Sequence, residues 1–196
     1  MNEKLFKRIQ KVYADGKGVT NLEGKILASM VANLGPKAII VEIGSFLGRS
    51  SAYIAAGSPE DAILYMIDLW DRSLLEIVSQ ENRYAVAGKS HKFEAIKRLK
   101  ALGLFEKVIM LQGVSEVFAK DWKYPIDFLF IDGDHNYEGI SRDYECWSPF
   151  VKSGSRIAFH DFSPRWPGVI KFISRVVVND LDDHQLRGTI WSGRKI

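Results

Sequence analysis

Five short apolar runs, separated by segments of helical periodicity, limit the fold of this chain more than any other feature. Each run is short enough for one strand and apolar at nearly every position, which is typical of strands buried on both faces of a parallel sheet. The predicted strands are 37–44, 62–68, 107–113, 126–132 and 156–162. The predicted helices between them are 49–57, 89–102, 114–120 and 137–150. This alternation predicts right-handed βαβ crossovers and an α/β fold, with a mostly parallel sheet and helices on both faces.

Two helices are predicted before the first strand. The first covers about 2–14. Thr20 and Glu23 have the spacing of a capping box, which begins a second helix, and Gly35-Pro36 is predicted to end it.

The tail and one long connection complete the predicted architecture. PGVIKFISRVVVND favours a helix, a short strand is predicted near 183–187, and GTIWSGRKI favours a last strand, predicted to be antiparallel. Residues 71–88 exceed a normal strand-to-helix link, and an insertion over 71–92 is predicted to form a lid or a substrate wall. A length of 196 residues fits one domain, in which residues 1–36 supply the N-terminal helices.

Composition predicts a cytoplasmic globular protein. No apolar run has membrane-spanning length, the first residues lack a signal-peptide pattern, and the one cysteine, Cys146, excludes an internal disulfide and is predicted to pack in the core. The net charge of +3 is too small to indicate nucleic acid by itself. The basic stretch 89–100 carries Phe93, Ile96 and Leu99 at helical spacing, so its lysines are read as the solvent face of an amphipathic helix. Membranes and nucleic acid are not expected as partners, and a homo-oligomer is left open.

The strand–glycine–helix junction VEIGSFLGRSSAYIA, 41–55, predicts a ligand site. Ligands of open parallel sheets bind at the carboxyl ends of the strands, where the strand order reverses. A dinucleotide junction needs G-x-G-x-x-G, but Phe46 stands where the middle glycine belongs, and no Walker lysine follows Gly48. Glu42 favours a cationic ligand such as S-adenosylmethionine, whose carboxylate can bind free N–H groups near Ser50. The plain alternative is that the glycines only make a tight turn.

An acidic residue at the end of the second strand supports an adenosine ligand. Asp68 follows Gly44 at a distance suited to hydrogen bonds with ribose hydroxyls, although the same acid would also serve NAD. The remaining residues predicted to border the cofactor are Ser45, Phe46, Gly48, Leu69, Trp70, Gly113, Val114 and Ser115. Trp70 is predicted to lie against the adenine, with core packing as the alternative.

The stretch FIDGDHNYEGISRDYECWSPFVKSGSRIAFHDF, 130–162, resembles class I S-adenosylmethionine-dependent methyltransferases. Its motifs IDG-D-H-x-Y and G-x-I-x-x-H-D, with E-I-G-S-x-x-G-R-S at 42–50 and I-D-x-W at 67–70, are similar to the O-methyltransferase-like branch. The resemblance spans about 23–162. It implies a Rossmann-like, seven-stranded sheet with one antiparallel strand near the C-terminus. It also implies cofactor contacts at Glu42, Gly44, Ser50, Asp68 and around Ser115.

Acidic and histidine residues follow the fourth and fifth predicted strands. Since the ends of neighbouring strands lie close together, Asp132, His160 and Asp161 are expected to converge where the sulfonium should lie. The metal-dependent O-methyltransferases that this stretch resembles hold a divalent cation with acidic and amide side chains. The resemblance implies that Asp132, His160 and Asp161 are the matching positions in this sequence. Histidine departs from that pattern and suits Zn²⁺, Mn²⁺ or Fe²⁺ better than Mg²⁺. The alternative is that His160 and Asp161 only order the loops.

His135 precedes the helix predicted from Tyr137. Asp134 is expected to cap that helix or to pair with His135, and Tyr137 is expected to pack. Because an attacking hydroxyl must lose its proton, His135 or His160 is a candidate base. A purely structural hydrogen bond of His135 is the alternative.

Together these features predict an S-adenosylmethionine-dependent methyltransferase that acts on a hydroxyl of a small molecule, such as a sugar or a phenol. Asp132, His135 and His160 are the predicted catalytic residues, and Asp132 also borders the cofactor. The alternatives are an NAD-dependent oxidoreductase, a cofactor-binding protein without catalysis, and a subunit directed to RNA through 89–100.

Overall fold

The computed structural model describes residues 3–70 and 91–196. The helices are α1 Glu3–Val12, α2 Asn21–Val31, α3 Arg49–Gly57, α4 His91–Leu102, α5 Ser115–Lys120, α6 Tyr137–Trp147 and α7 Pro167–Phe172. The strands are β1 Ile39–Ile43, β2 Ile63–Asp68, β3 Val108–Gln112, β4 Ile126–Ile131, β5 Val151–Phe159, β6 Leu181–Arg187 and β7 Ile190–Lys195. Short 3₁₀ turns cover Phe105–Lys107 and Ser148–Phe150, and α7 continues through a π-helical turn, Ile173–Val177, into Val178–Asp180.

The seven described strands form one sheet in the order β3-β2-β1-β4-β5-β7-β6. The first five pair in parallel, and β7 runs antiparallel to both of its neighbours. The predicted α/β, Rossmann-like class I methyltransferase architecture, with one antiparallel strand near the C-terminus, is therefore confirmed. The strand order reverses between β1 and β4, which is where such sheets bind ligands.

Two apolar cores cover the two faces of the sheet. Side chains of a strand alternate between faces, so Ile40 packs in the core beneath α1 to α4, and Val41 packs in the core beneath α5 to α7. Glu42 follows the alternation and places a carboxylate among the residues of the first core, where it is fully buried. Cys146 is half-buried against the second core, as its predicted packing role requires.

The predicted capping box of α2 is present, but the helix ends earlier than expected. The Thr20 hydroxyl accepts from the Glu23 amide at 3.2 Å, and the Glu23 carboxylate accepts from the Thr20 amide at 2.9 Å. Leu34 N donates to Val31 O at 3.3 Å, a tighter turn that ends the helix before Gly35-Pro36.

The fifth strand ends before His160, not at 162 as predicted. Asp161 has a φ of +60° and cannot continue an extended strand. Phe162 N then donates to Thr189 O at 2.9 Å, so the chain leaves β5 toward the turn between β6 and β7. His160 and Asp161 therefore lie in a loop at the carboxyl edge.

The proposed lid and the single-domain organisation of the chain both stay predictions. The proposed lid, 71–92, falls largely outside the described residues, since only His91 and Lys92 of it belong to α4. Among the described residues, no helix combines the length and the apolar character needed to span a membrane.

Candidate active site at the carboxyl edge of the sheet

Gly44 forms the bend after β1 and brings this strand close to β4. Its φ is +86°, and a Cβ atom there would lie 2.1 Å from the carbonyl oxygen of Asp132. Gly44 N donates to Ile67 O at 2.8 Å, and Asp132 N donates to Ile43 O at the same distance. Glycine is required here because the ends of β1 and β4 touch through their backbones.

Asp68 fixes the loop that follows Gly44. Its two carboxylate oxygens accept from Phe46 N and Trp70 N, each at 2.7 Å, and Trp70 Nε1 donates to Phe46 O at 2.8 Å. Phe46 and Trp70 both have positive φ values, 45° and 48°, which these hydrogen bonds stabilise. Burial raises the pKa of Asp68. The acid predicted to bind ribose thus also holds the glycine loop in place.

Glu42 and Ser45 place polar atoms beneath the bend. Ser51 Oγ donates to Glu42 Oε2, whereas Glu42 Oε1 and Ser45 Oγ are buried and make no hydrogen bond of good geometry. Burial raises the pKa of Glu42 to about 7, although hydroxyl groups of Ser50, Ser51 and Ser45 act to lower it. Unpartnered buried polar groups are costly in a protein interior. These two atoms are therefore candidates for contact with a polar or cationic ligand.

The N-terminus of α3 adjoins the same bend and has no side-chain cap. Gly48 is its N-cap, with a φ of +79°. Tyr13 Oη donates to Gly48 O at 2.7 Å and holds this turn from the opposite side. Ser50 lies in the first turn and is buried. The free N–H groups of this turn and the helix dipole can bind a carboxylate.

Leu69 and Trp70 differ in what they can offer a nucleobase. Leu69 is half-buried, and its carbonyl oxygen accepts from Gln112 Nε2 at 3.1 Å. Trp70 is only 4% exposed and packs in the first core, so the plain-packing alternative accounts for most of its surface. Phe46 is covered on one side by His91, with ring centroids 4.7 Å apart.

The end of β3 joins the same edge. Gly113 N donates to Asp68 O at 3.0 Å, which places residues 113–115 beside the end of β2. Val114 is exposed, whereas Ser115 is buried and its hydroxyl donates to Asp143 Oδ1. The Ser115 hydroxyl is thus engaged within the protein, and Val114 is the more accessible neighbour for a nucleobase.

Asp132, His160 and Glu23 form one connected group. His160 Nδ1 lies 3.0 Å from Asp132 Oδ1, and its Nε2 lies 3.6 Å from Glu23 Oε2. Glu23 Oε1 in turn accepts from the Thr189 amide at 3.1 Å and from its hydroxyl at 2.7 Å. The expected convergence of strand ends is present, and His160 points inward between two carboxylates.

Asp161 and His135 form a second group beside the first. His135 Nε2 lies 2.8 Å from Asp161 Oδ2 and 3.8 Å from Asp132 Oδ1. Its imidazole stacks on Trp166, with ring centroids 4.2 Å apart. The His135 side chain is 28% exposed, against 11% for His160, so His135 is the more accessible imidazole.

The carboxylates change the expected acid–base role of both histidines. Burial acts to lower the pKa of His135, but hydrogen bonds with Asp132 and Asp161 and their charges outweigh it and raise this pKa to about 9. The same balance raises the pKa of His160 to about 12. The paired histidines hold the pKa of Asp161 far below its ordinary value. These shifts favour the protonated imidazoles at neutral pH, whereas a base must be neutral, and the assignment of His135 or His160 as the base stays a prediction.

The donor atoms of Asp132, His135 and Asp161 suit a divalent cation, since one ligand atom from each lies within 4.8 Å of the others. Two carboxylates and an imidazole suit Mn²⁺, Fe²⁺ or Zn²⁺ better than Mg²⁺. The predicted set, Asp132, His160 and Asp161, stays a prediction. His160 Nδ1 lies 3.0 Å from Asp132 Oδ1 and 3.5 Å from Asp161 Oδ2, and its Nε2 faces Glu23.

The start of α6 differs from the prediction. Asn136, not Asp134, caps the helix, since its Oδ1 accepts from Gly139 N at 2.7 Å. Asp134 accepts from the amide and the side chain of Asn136 and does not pair with His135. Tyr137 packs edge-on against Phe172, as expected for a packing residue.

A comparison with known families identifies the family of this chain. A family model described as a methyltransferase domain matches residues 41–162, more than half of the chain. The chain belongs to this methyltransferase family. The matched segment begins in β1 and ends just after Asp161, so it contains the bend, both histidines, Asp132 and Asp161, whereas Glu23 lies before it.

Solved structures share the whole architecture of this methyltransferase. The O-methyltransferase TomG from Streptomyces achromogenes, involved in tomaymycin synthesis and crystallised with S-adenosylmethionine, is 21% identical, with a TM-score of 0.66 over 100% of this chain and 91% of that one. An O-methyltransferase from Bacillus cereus, crystallised with S-adenosylhomocysteine, is 18% identical, with a TM-score of 0.68 over 100% of this chain and 92% of that one. Both likenesses concern the fold.

A curated relative matches only in part. An uncharacterized protein of Acanthamoeba polyphaga mimivirus is 38% identical over 56 residues, which are 28% of this methyltransferase and 25% of the viral protein. The match thus spans a quarter of the relative's own length.

Sequence reasoning missed three residues at the site of this methyltransferase. Glu23 was recognised only as a capping residue, although its carboxylate also faces His160. Trp166 stacks on His135, and Tyr13 holds the carbonyl of Gly48. An aromatic shortly after Asp161 was the only signal for Trp166, and no spacing rule connects the other two with the strand ends.

Proposed function

We propose that this methyltransferase uses S-adenosylmethionine and transfers its methyl group to a hydroxyl oxygen of a small molecule. One observation supports this most: a buried carboxylate, Glu42, lies beside Gly44, where the strand order reverses, and its Oε1 makes no hydrogen bond of good geometry. A carboxylate with a free oxygen suits a ligand that carries a sulfonium and an ammonium. The complexes of the two structural relatives with S-adenosylmethionine and S-adenosylhomocysteine agree with this choice.

The proposed cofactor site divides by charge. Glu42 lies on the cationic side, and the uncapped N-terminus of α3 with Ser50 suits the carboxylate. Asp68 suits the ribose hydroxyls, because each of its oxygens keeps a lone pair beyond the one used by the loop amides. Leu69, Trp70 and 113–115 lie along the edge proposed for the adenine.

Bound S-adenosylmethionine supplies an electrophilic methyl group, and the protein supplies alignment and a proton acceptor. Asp132 Oδ1 is shared by His160 and His135. Asp132 Oδ2 is therefore the atom we assign to the acceptor hydroxyl, whose proton it takes as the oxygen attacks. His160, held by Glu23, fixes the orientation of Asp132. In this account the two histidines are positive partners of the carboxylates.

A divalent cation at Asp132, His135 and Asp161 is a second proposal for the same edge. It would lower the pKa of a bound hydroxyl and would replace the positive charge of His135. The proposal is supported by the donor set alone, and Mn²⁺ is the cation to test first.

The alternative of an NAD-dependent oxidoreductase is set aside. The family is a methyltransferase family, and Phe46, with its amide and carbonyl both bound, occupies the position where a dinucleotide needs glycine. No observation on the described residues specifically favours a cofactor-binding protein without catalysis or a subunit directed to RNA.

A thermal-shift screen tests the proposed cofactor. S-adenosylmethionine and S-adenosylhomocysteine are expected to raise the melting temperature by several degrees at about a hundred times their dissociation constants, because a ligand that binds only the folded protein stabilises it. NAD is expected to leave the melting temperature unchanged. A rise with NAD and none with either sulfur nucleoside would overturn the proposal. Mn²⁺, Zn²⁺ and Mg²⁺ in the same screen test the metal.

Asp68→Ala is expected to weaken S-adenosylhomocysteine binding at least about tenfold, since it removes the ribose acceptor and frees the amides of the loop. Calorimetry measures the change. Asp127→Ala is the matched control, because Asp127 also accepts from a backbone amide, Ile39 N at 2.8 Å, but at the opposite edge of the sheet. Equal loss of affinity in both variants would count against a ribose contact.

Glu42→Gln is expected to separate stability from binding. The pKa of Glu42 is about 7 in the folded protein and 4.5 in the unfolded chain. The ligand-free folded protein therefore loses stability as pH rises from about 4.5 to about 7. At pH 8 the glutamine variant should therefore gain up to about 3 kcal/mol in the free energy of unfolding. It should also bind S-adenosylmethionine more weakly, and it should lack the fall in affinity that we expect of the natural protein as pH drops below about 7. Urea unfolding and calorimetry at pH 6 and pH 8 decide the point, and unchanged affinity in Glu42→Gln contradicts it.

A further inference from the structure

Trp166 lies where the loop after β5 turns into α7. Its indole stacks on the imidazole of His135, with centroids 4.2 Å apart and ring planes 21° apart. The same imidazole presents Nε2 to Asp161 Oδ2 at 2.8 Å. One aromatic face therefore restrains the ring whose nitrogen contacts Asp161.

The backbone around Trp166 leaves it little room to shift. Trp166 N donates to Ser163 O at 2.9 Å. A Cβ atom at Gly168 would lie 2.8 Å from His135 O and 2.7 Å from Tyr137 N, so the first turn of α7 is pressed against the segment that carries His135. The indole of Trp166 also contacts Arg165, whose guanidinium lies 5.4 Å from the ring centroid. The stack is thus set by the packing of α7 on the start of α6.

His135 needs such a restraint because its side chain is partly exposed and can otherwise rotate toward solvent. Planar stacking restricts rotation of the imidazole and keeps its nitrogen directed at the carboxylate. No described hydrogen bond or ring contact joins Trp166 to the residues assigned to the cofactor. A change at Trp166 should therefore act on the methyl-transfer step without acting on cofactor binding.

We propose that Trp166 is a positioning residue, which holds the imidazole of His135 against Asp161 and so shapes the acceptor side of the site. The proposal rests on the proposed methyltransferase function for its kinetic consequence. Its structural consequence, the fixed orientation of His135, does not depend on that function.

The kinetic test compares Trp166→Ala with Trp166→Phe. The alanine variant is expected to lose at least about tenfold in kcat, while the phenylalanine variant, which keeps an aromatic face, stays within about threefold of the natural protein. Affinity for S-adenosylhomocysteine should be unchanged in both. Tyr124→Ala is the control, because Tyr124 is 56% exposed and precedes β4 at the opposite edge of the sheet. Equal kcat losses in both Trp166 variants, or a loss of nucleoside affinity, would overturn the proposal.

Nuclear magnetic resonance of the histidine side chains gives a readout without turnover. The Nε2 proton of His135, assigned with a His135→Gln variant, should exchange slowly with solvent in the natural protein and in Trp166→Phe, and faster in Trp166→Ala, where the contact with Asp161 is no longer held. Unchanged exchange in the alanine variant would overturn the proposal even if kcat falls. If the natural protein binds no sulfur nucleoside, the proposed function fails, and the spectrum still shows whether Trp166 orients His135.

Discussion

Asp132→Asn is expected to reduce methyl transfer about a thousandfold while changing the affinity for S-adenosylhomocysteine less than about threefold. The substitution keeps the shape of the side chain but removes the charge that pairs with His160 at 3.0 Å and the oxygen assigned to the acceptor proton. Because the backbone of Asp132 still touches Gly44, the bend that holds the nucleoside should be unchanged. Single-turnover transfer and calorimetry measure the two quantities.

Asp134→Asn is the control for this change. Asp134 lies two residues further along the chain, and its described hydrogen bonds are with Asn136 alone. Its substitution should leave the transfer rate within about twofold of the natural protein. Full activity of Asp132→Asn would remove Asp132 from the mechanism. A parallel loss of nucleoside affinity would mean that Asp132 acts on binding.

Glu23→Ala is expected to lower the free energy of unfolding by about 3 kcal/mol or more. Its buried carboxylate accepts from the amide and hydroxyl of Thr20 on one side and from those of Thr189 on the other. Removing it leaves those donors unpaired and leaves the charge of His160 with one carboxylate fewer. Urea denaturation measures the loss.

The pH dependence of that loss has a defined sign. Burial acts to raise the pKa of Glu23, but its hydrogen bonds with His160, Thr20 and Thr189 outweigh burial and lower this pKa below its ordinary value of 4.5. The stability that it contributes is therefore present above about pH 4.5 and is lost as pH falls below that value, so the two proteins should converge in acid. Glu3→Ala is the control, because Glu3 is an exposed carboxylate paired with Lys25 at 3.4 Å, and such pairs contribute less than about 1 kcal/mol. A loss for Glu23→Ala no larger than for Glu3→Ala would contradict the account.

The sequence was sufficient to predict the strands and the convergence of Asp132, His160 and Asp161. Buried parallel strands leave continuous apolar runs, and the ends of neighbouring strands necessarily meet at one edge. The bend at Gly44 could also be predicted, since a glycine after a buried strand indicates a bend or a close backbone contact. In the structure that contact is with the backbone of Asp132.

The partners of those residues could not be read in the same way. Glu23 and Thr189 are separated by 166 positions, and only the packing of α2 against the turn before β7 brings them together. The protonation of His135 and His160 depends on which carboxylates each imidazole faces, which no spacing determines. The left-handed φ of Asp161, which ends β5 early, likewise results from the hydrogen bonding of the loop.

A crystal structure with S-adenosylhomocysteine tests the central claim most directly, namely that the bend at Gly44 holds a sulfur nucleoside whose cationic side faces Glu42. We expect the ribose hydroxyls within hydrogen-bonding distance of Asp68, the carboxylate at the first turn of α3, and the sulfur directed at Asp132. A nucleoside bound elsewhere, or a crevice filled by the side chain of Phe46 at saturating ligand, would contradict the claim.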